Sequence, residues 1–320
     1  MSDGKWFSDV DAETNLPDAA RRVLTARLQV VGKHLDSVAK AENDDPEHLH
    51  QLRVSSRRTT AALDIFAECF PAKVHRKAKK ELKRLRRAAG AARDWDVFLV
   101  SLKSRAVPSK TRAGLDLLIG CALGQRLTTG AQLKLAAGEY AKDFGRFSEH
   151  LVAAIYRQKN QVKSQTLSSL PPTALFPLVR ALDDAAGKDL TDSDNLHQVR
   201  IAGKRLRYAM EILAGCFTPP FGEQLYPKVE TMQEILGRAN DSRFAIARME
   251  ELNTQLQKSR PVGWKRKQAT LTEFRTYHQR RMSQERLRFE RWYRSWKKSA
   301  GEPAFIACFN THASPLPARQ

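Results

Sequence analysis

The sequence contains one helical segment twice. Leu49 to Phe70 reads LHQLRVSSRRTTAALDIFAECF, and Leu196 to Phe217 reads LHQVRIAGKRLRYAMEILAGCF, with ten identities in 22 aligned positions. The offset between the copies is 197 − 50 = 147 residues. Repetition at a fixed offset indicates an architecture built from copies of one structural unit. We therefore expect two copies of one helical unit.

Apolar residues recur at i, i+3, i+4 and i+7 almost throughout the chain, whereas period-2 alternation and glycine-rich hairpin turns are missing. This pattern predicts an all-α protein. The predicted helices span residues 17–41, 46–68, 73–104, 109–140 and 142–165 in the first half, and 173–188, 194–217, 221–237, 239–258 and 261–298 in the second half.

The segment LSSLPPT, residues 167–173, is the best candidate for a linker, because proline and serine interrupt the helical pattern there. It divides the chain into an N-terminal half, residues 1–167, and a C-terminal half, residues 168–300. Residues 301–320 contain three prolines and no apolar period, so we expect a flexible tail.

The net charge of +20 indicates a polyanionic partner, which could be nucleic acid, an anionic membrane or polymeric phosphate. The four cysteines have no CxxC spacing, which excludes a zinc knuckle and a redox motif of that type. The first residues include acids where a signal peptide needs an apolar core, and no apolar run approaches the roughly 20 residues that span a bilayer. We expect a cytoplasmic protein that does not enter a membrane.

The repeated helix has two different faces. At about 100° per residue, its cations lie opposite its apolar residues in both copies. A cationic helix face is by default only a solvated surface. Here, however, carboxylates at i+4 are mostly absent, and the same face recurs in the second copy, which favours an anion-binding site. The cationic face contains His50, Arg53, Arg57 and Arg58 in the first copy, and His197, Arg200, Lys204, Arg205 and Arg207 in the second.

The segment that follows the first copy is even more basic. Residues 73–93 contain ten cations and one acid, Glu81, whereas the equivalent segment of the second half contains acids among its few cations. We expect an asymmetric site in which the first half contributes more charge. The repeat-equivalent acids Asp94 and Asp241 are expected either to cap the next helix or to pair with an arginine.

His50 and His197 allow several interpretations. A metal site at His48-x-His50 is disfavoured because residues i and i+2 lie about 200° apart on a helix. A phosphoacceptor role lacks both the acid after the histidine and a glycine-rich ATP-binding segment, and a general base lacks a recognisable nucleophile. Two interpretations stay open: a hydrogen-bond donor in an anion site, and a structural histidine. No catalytic residue, metal or cofactor is predicted.

The segments HLHQLRVSSRRTTAALDIF and LRRAAGAARDWDVFL in the first half, with LHQVRIAGKRLRYAMEIL and MQEILGRANDSRF in the second, resemble the two halves of a CHAD domain, the conserved histidine α-helical domain. The resemblance covers residues 16–298. It implies two four-helix bundles related by a pseudo-two-fold axis, with a basic central cavity that binds inorganic polyphosphate. It also implies association with polyphosphate granules and no catalytic activity.

By position, the resemblance implies a set of polyphosphate-binding residues, to which we add Arg207 from the same cationic face. The implied ligands are His50, Arg53, Arg57, Arg58, His197, Arg200, Lys204 and Arg205, extended by Lys80, Lys83, Arg84 and Arg87 of the next helix.

Some relatives also contain a triphosphate-hydrolysing domain with a Glu-x-Glu-x-Lys strand, and this sequence has no such motif.

An alternative function is nucleic-acid binding by the last helix, residues 264–298, which mixes twelve cations with aromatic residues. Arginines and aromatic rings on one face can bind single strands by stacking. The simpler interpretation is that most of these aromatic residues anchor the helix on the bundle.

Overall fold

The computed structural model describes residues 5–40, 45–104, 109–157, 165–259 and 264–309. These residues form nine α-helices and no β-strand, which confirms the predicted all-α class. The helices are α1 (Leu16–Lys40), α2 (Pro46–Ile65), α3 (Ala72–Lys103), α4 (Ser109–Arg157), α5 (Phe176–Ala186), α6 (Ser193–Leu213), α7 (Tyr226–Ser259), α8 (Trp264–Ser299) and α9 (Gly301–Cys308).

The first four helices form a closed bundle, in which α1 and α3 each pack against both α2 and α4. In the second half, α6 packs against α5 and α7, and α7 packs against α8. The halves meet through three helix pairs, α2 with α6, α3 with α7, and α4 with α8. Each pair joins helices that hold the same place in the two halves, so the two repeated helices, α2 and α6, lie against each other.

Two predicted helix breaks do not occur. The structure has one helix, α4, where the sequence predicted separate helices at 109–140 and 142–165, and one helix, α7, in place of 221–237 and 239–258. Each long helix supplies residues to more than one hydrophobic cluster, so packing along its whole length holds it continuous. Despite this length, no described helix is apolar enough to cross a membrane.

Both repeated helices end in the same way. A single 3₁₀ turn follows α2 at Ala67–Cys69 and follows α6 at Ala214–Cys216. The predicted helix end at residue 217 therefore includes its turn, and the one at residue 68 falls within the first turn. Cys69 and Cys216 are buried free thiols, and burial raises the pKa of each to about 12. They fill the core as small apolar side chains.

The predicted linker is packed rather than free. Leu167, Leu170 and Pro171 are buried, and the backbone N–H of Leu167 donates to the carbonyl oxygen of Thr14 at 2.9 Å. The largest hydrophobic cluster contains residues from both sides of this segment. The two halves consequently share apolar core.

Residues 301–308, which begin the predicted flexible tail, form helix α9. Phe305 is fully buried, and its ring contacts those of Phe221 and Trp296 edge-on. The helix begins at Gly301, whose φ of 64° favours glycine. Residues 310–320 of the predicted tail lie outside the described residues.

Candidate polyanion-binding site

Aspartate caps start the two repeated helices in the same register. Asp45 Oδ1 accepts a hydrogen bond from the backbone N–H of Glu47 at 2.8 Å, and Asp192 Oδ1 accepts one from that of Asp194 at 2.8 Å. Both caps have extended backbone dihedrals, as N-cap residues usually do. Because 192 − 45 = 147, the cations of α2 and α6 occur at matching turns.

Four cations, Arg53, Arg57, Arg200 and Lys204, interact where α2 packs against α6, and we call them the central cluster. Burial, followed by the charges of Arg200 and Arg57, lowers the pKa of Lys204 to about 6. Burial and the charge of Arg57 lower the pKa of Arg53 to about 10, and they also lower the pKa of Arg200. Cations predicted from both copies of the repeat are thus brought together.

The central cluster has few protein partners. Arg57 and Lys204 form no hydrogen bond or ion pair with any described residue, and Nε of Arg200 is buried without a hydrogen-bond partner in the same ranges. Arg53 differs, because its Nη2 lies 4.0 Å from Asp94 Oδ1. Like charges that are withdrawn from water repel each other strongly. An anion bound among them would relieve this repulsion.

Helix α3 contributes two further cations, Arg86 and Arg93, that the predicted site residues did not include. Arg86 Nη1 donates to Thr60 Oγ1 on α2 at 2.9 Å, and burial and Arg57 lower the pKa of Arg86. Arg93, after burial, is the largest cause of the lowered pKa of His50. Gly90 lies between these arginines, and a Cβ there would be 3.0 Å from Arg53 Nη1. Gly90 therefore lies on the face of α3 that approaches α2.

The cations of α3 that were predicted to extend the site lie elsewhere. Lys80, Lys83, Arg84 and Arg87 are all exposed. Arg84 pairs with Glu81 on its own helix, with Nη1 3.2 Å from Oε1, and its guanidinium lies over the ring of Tyr140. The lowered pKa values of the central cluster have none of these four cations among their causes. Helix α3 is consequently basic on two faces, one towards the central cluster and one towards solvent.

Asp94 and Asp241 supply negative charge at the edge of the central cluster. Asp94 Oδ2 lies 3.8 Å from Arg248 Nη2, in addition to its contact with Arg53. Burial raises the pKa of both carboxyl groups, while Arg53 opposes this effect for Asp94 and Arg200 opposes it for Asp241. Both residues lie inside helices, α3 and α7, so neither caps the next helix.

The two histidines have different neighbours. His197 Nδ1 lies 3.1 Å from Asn240 Oδ1, whereas His50 forms no hydrogen bond with a described residue. The offset of 147 places Arg93 where the second half has Asn240. Burial lowers the pKa of both rings, helped by Arg93 at His50 and by Arg243 at His197. The first half therefore has a cation where the second half uses a neutral amide.

The side chains around the central cluster do not suit a metal ion. Within the described ranges, no three His, Cys, Asp or Glu side chains are grouped closely enough to bind one. The ring of His48 lies 5.8 Å from that of His34, between α1 and α2. The donors near the central cluster are almost all cationic, and such donors suit an anion rather than a metal.

Arg58 does not belong to the central cluster, because it forms an ion pair with Glu211. Its Nε donates to Glu211 Oε2 at 2.9 Å and its Nη2 donates to Oε1 at 3.2 Å, across the contact between α2 and α6. The Glu211 side chain is fully buried, and it also accepts hydrogen bonds from Arg27 Nη2 at 3.4 Å and the hydroxyl of Tyr226 at 3.0 Å. The charge of Arg58 is thus balanced within the protein.

The remaining predicted cations of α6 also differ from the central cluster. Arg205 is exposed. Arg207 Nε lies 3.8 Å from Glu211 Oε1, and its guanidinium stands 5.4 Å from the ring centre of Tyr208. Its charge contributes to the lowered pKa of Lys204, so Arg207 lies between the Glu211 ion pairs and the central cluster.

Most aromatic residues of α8 anchor the helix, as the simpler interpretation predicted. Phe274, Phe289 and Trp296 are buried. Trp292 Nε1 donates to the carbonyl oxygen of Lys228 at 3.1 Å. Tyr277 is the exception, since 38% of it is exposed. The aromatic residues of α8 do not form an open stacking surface.

Comparisons with known proteins agree with this architecture. A crystal structure of the CHAD domain from the plant Ricinus communis superposes with a TM-score of 0.67 at 25% identity, covering 86% of this chain and 89% of that one. PptA from Streptomyces chartreusis superposes with a TM-score of 0.60 at 17% identity, covering 88% and 99%. No curated protein matches the sequence significantly. The CHAD domain family model matches residues 22–250, and the protein therefore belongs to the CHAD domain family.

Proposed function

We propose that this protein binds inorganic polyphosphate through the central cluster and associates with polyphosphate granules in the cytoplasm. One observation carries the proposal: cations from α2 and α6 converge where the halves meet, and Arg57 and Lys204 have no carboxylate partner among the described residues. A linear polyanion inserted there would replace the missing counter-charges. The family resemblance set out above implies the same ligand.

The chemistry of the cluster suits phosphate groups in a row. Arginine presents a planar fork of N–H donors that binds two phosphate oxygens at once, whereas lysine supplies a compact charge without directional demand. Arg57 and Arg53 would form such forks from α2, with Arg200 and Lys204 opposite them on α6. Arg86 and Arg93 would add charge from α3. His50, which has no protein hydrogen-bond partner in the described ranges, would donate to a phosphate oxygen.

We propose that the protein binds polyphosphate without hydrolysing it. The acids near the cluster, Asp94 and Asp241, are held beside arginines. We expect no release of phosphate when the protein is incubated with magnesium and polyphosphate. Release that exceeds a protein-free control would assign an enzymatic activity instead.

Titration with polyphosphate tests whether the central cluster binds this ligand. The double variant Arg53→Ala, Arg200→Ala removes one bidentate donor from each half, and we expect it to weaken binding by tenfold or more. The matched control, Arg275→Ala, Arg294→Ala, removes two exposed arginines of α8 that have no partner among the described residues. If the two double variants bind polyphosphate with equal affinity, the central cluster is not the binding site.

A nucleic-acid-binding function is the alternative, favoured by the exposed arginines of α8 and the exposed ring of Tyr277. Competition separates the two functions. If single-stranded or duplex nucleic acid displaces polyphosphate at equal phosphate concentration, polyphosphate is not the preferred ligand. We expect polyphosphate to be retained, because Tyr208, the aromatic residue that interacts with Arg200, is buried and cannot serve as a stacking platform for bases.

A further inference from the structure

Helix α3 has a strongly basic surface that is separate from the central cluster. Seven exposed cations lie along its solvent-facing side within 15 residues, about 21 Å at 1.5 Å per residue. We call this surface the outer face of α3. It consists of Lys73, Arg76, Lys77, Lys80, Lys83, Arg84 and Arg87.

The outer face is almost without counter-charge. Arg84 pairs with Glu81, which is the single acid of this stretch. The other six cations form no hydrogen bond or ion pair with any residue in the described ranges. Exposed cations at i, i+3 and i+4 destabilise a helix when they have no acids between them. The cations of the outer face therefore do not stabilise helix α3.

The second half shows that the fold does not need these charges. The offset of 147 places Glu223, Glu230 and Glu234 where the outer face has Arg76, Lys83 and Arg87. The equivalent segment still forms its π turn at Phe221–Leu225 and helix α7. Glu230 and Glu234 lie in α7 as Lys83 and Arg87 lie in α3, so acids at these two positions are compatible with the helix. The cations of α3 call for an explanation other than folding.

The surroundings of the outer face favour a flexible linear anion as its ligand. None of the large exposed apolar residues lies between residues 73 and 87, so α3 offers this face neither an exposed ring for base stacking nor an apolar side chain to insert into lipid. The nearby ring of Tyr140 on α4 lies under the Arg84 guanidinium. The same helix directs Arg86 towards α2 and Arg93 towards His50. One helix therefore presents cations both to the central cluster and to solvent.

We propose that the outer face of α3 is a second binding surface for the polyanion, so that the protein selects long polyphosphate chains over short ones. This inference rests on the proposed function. A short chain occupies the central cluster alone, whereas a long chain continues onto the outer face. The second contact is then intramolecular, and its effective concentration raises the overall affinity.

The test compares tripolyphosphate with long-chain polyphosphate. The triple variant Arg76→Glu, Lys83→Glu, Arg87→Glu installs the acids of the second half on the outer face. We expect affinity for the long chain to fall at least tenfold, with a shallower dependence on salt concentration, because fewer counterions are released. Affinity for tripolyphosphate should change less than threefold.

A matched variant controls for general electrostatics. Arg275→Glu, Arg280→Glu, Arg294→Glu removes the same net charge from exposed, unpartnered positions of α8 in the described chain. If this variant weakens long-chain binding as much as the outer-face variant does, the outer face is not a binding surface. An equal loss for short and long chains in the outer-face variant would also overturn the inference.

Failure of the proposed function gives a different result. In that case Arg53→Ala, Arg200→Ala leaves the affinity for both chain lengths unchanged. If the outer-face variant loses affinity for duplex DNA and keeps its affinity for long-chain polyphosphate, the outer face binds nucleic acid and our assignment is wrong.

Discussion

Arg58 on α2 donates two hydrogen bonds to Glu211 on α6, with Nε 2.9 Å from Oε2 and Nη2 3.2 Å from Oε1. The two residues are 153 positions apart, and the pair joins the two repeated helices. Glu211 is the buried carboxylate at this contact, and it is also bonded to Arg27 and Tyr226. Arg58 therefore links the two halves, although it belongs to the cationic face of the repeated helix.

We predict that Arg58→Ala lowers the free energy of unfolding by about 3 kcal/mol, because it leaves part of a buried carboxylate charge without its partner. Its repeat equivalent, Arg205, is exposed, so Arg205→Ala should change stability by less than about 0.5 kcal/mol. Chemical denaturation of both variants makes the comparison. Similar losses for the two would show that the Glu211 ion pair does not hold the halves together.

Lys204→Met should stabilise the ligand-free protein. The half-buried lysine lies beside Arg200 and Arg57, so an apolar side chain avoids both the repulsion that the charged lysine meets and the cost of losing its proton on folding. We expect the free energy of unfolding to rise by roughly 1 kcal/mol. Affinity for polyphosphate should fall by about tenfold, equivalent to about 1.4 kcal/mol. Thermal denaturation and titration check the two effects, and a loss of stability together with unchanged affinity would contradict the proposed role.

The stability of the ligand-free protein should rise with pH above about 6. The pKa of Lys204 is lowered to about 6 in the folded state, whereas an unfolded lysine has its ordinary value of about 10.4. Between these values the unfolded chain binds more protons, and stability therefore increases with pH. The denaturation midpoint measured across this window should flatten in Lys204→Met. An equally steep profile in the variant would exclude Lys204 as its source.

Polyphosphate binding should show the opposite dependence on pH. A bound polyanion favours the charged forms of Lys204, His50 and His197, whose pKa values burial lowers in the free protein. Binding should therefore take up protons and tighten as pH falls from about 9 towards 6. Calorimetry in buffers with different ionisation enthalpies measures this uptake. Proton release on binding would contradict the prediction.

Gly90 and Gly237 form a natural matched pair. A Cβ at Gly90 would lie 3.0 Å from Arg53 Nη1, whereas one at Gly237 would meet nothing within 4 Å. Gly237→Ala should stabilise the protein by roughly 0.5–1 kcal/mol through helix propensity alone. Gly90→Ala should displace the Arg53 guanidinium and weaken polyphosphate binding several-fold. If Gly237→Ala reduces the affinity as much as Gly90→Ala does, the close contact with Arg53 is not the reason.

The sequence predicted the local features that depend on residues close together in the chain. The helical period and the opposition of cations to apolar residues on α2 and α6 both appear in the structure. Helix breaks inside α4 and α7 were predicted wrongly, because tertiary packing along the whole length of a helix outweighs local interruptions.

The sequence alone determined that two equivalent helices would carry matching cations, because a fixed offset and a 3.6-residue period place those residues at matching turns. Only the tertiary structure decided which cations meet. It paired Arg58 with Glu211, turned Lys80 and Arg87 to solvent, and brought Arg86 and Arg93 of α3 towards α2 and His50. The physical reason is that a helical period fixes angles within one helix, whereas the packing of α2 against α3 and α6 fixes which faces approach each other.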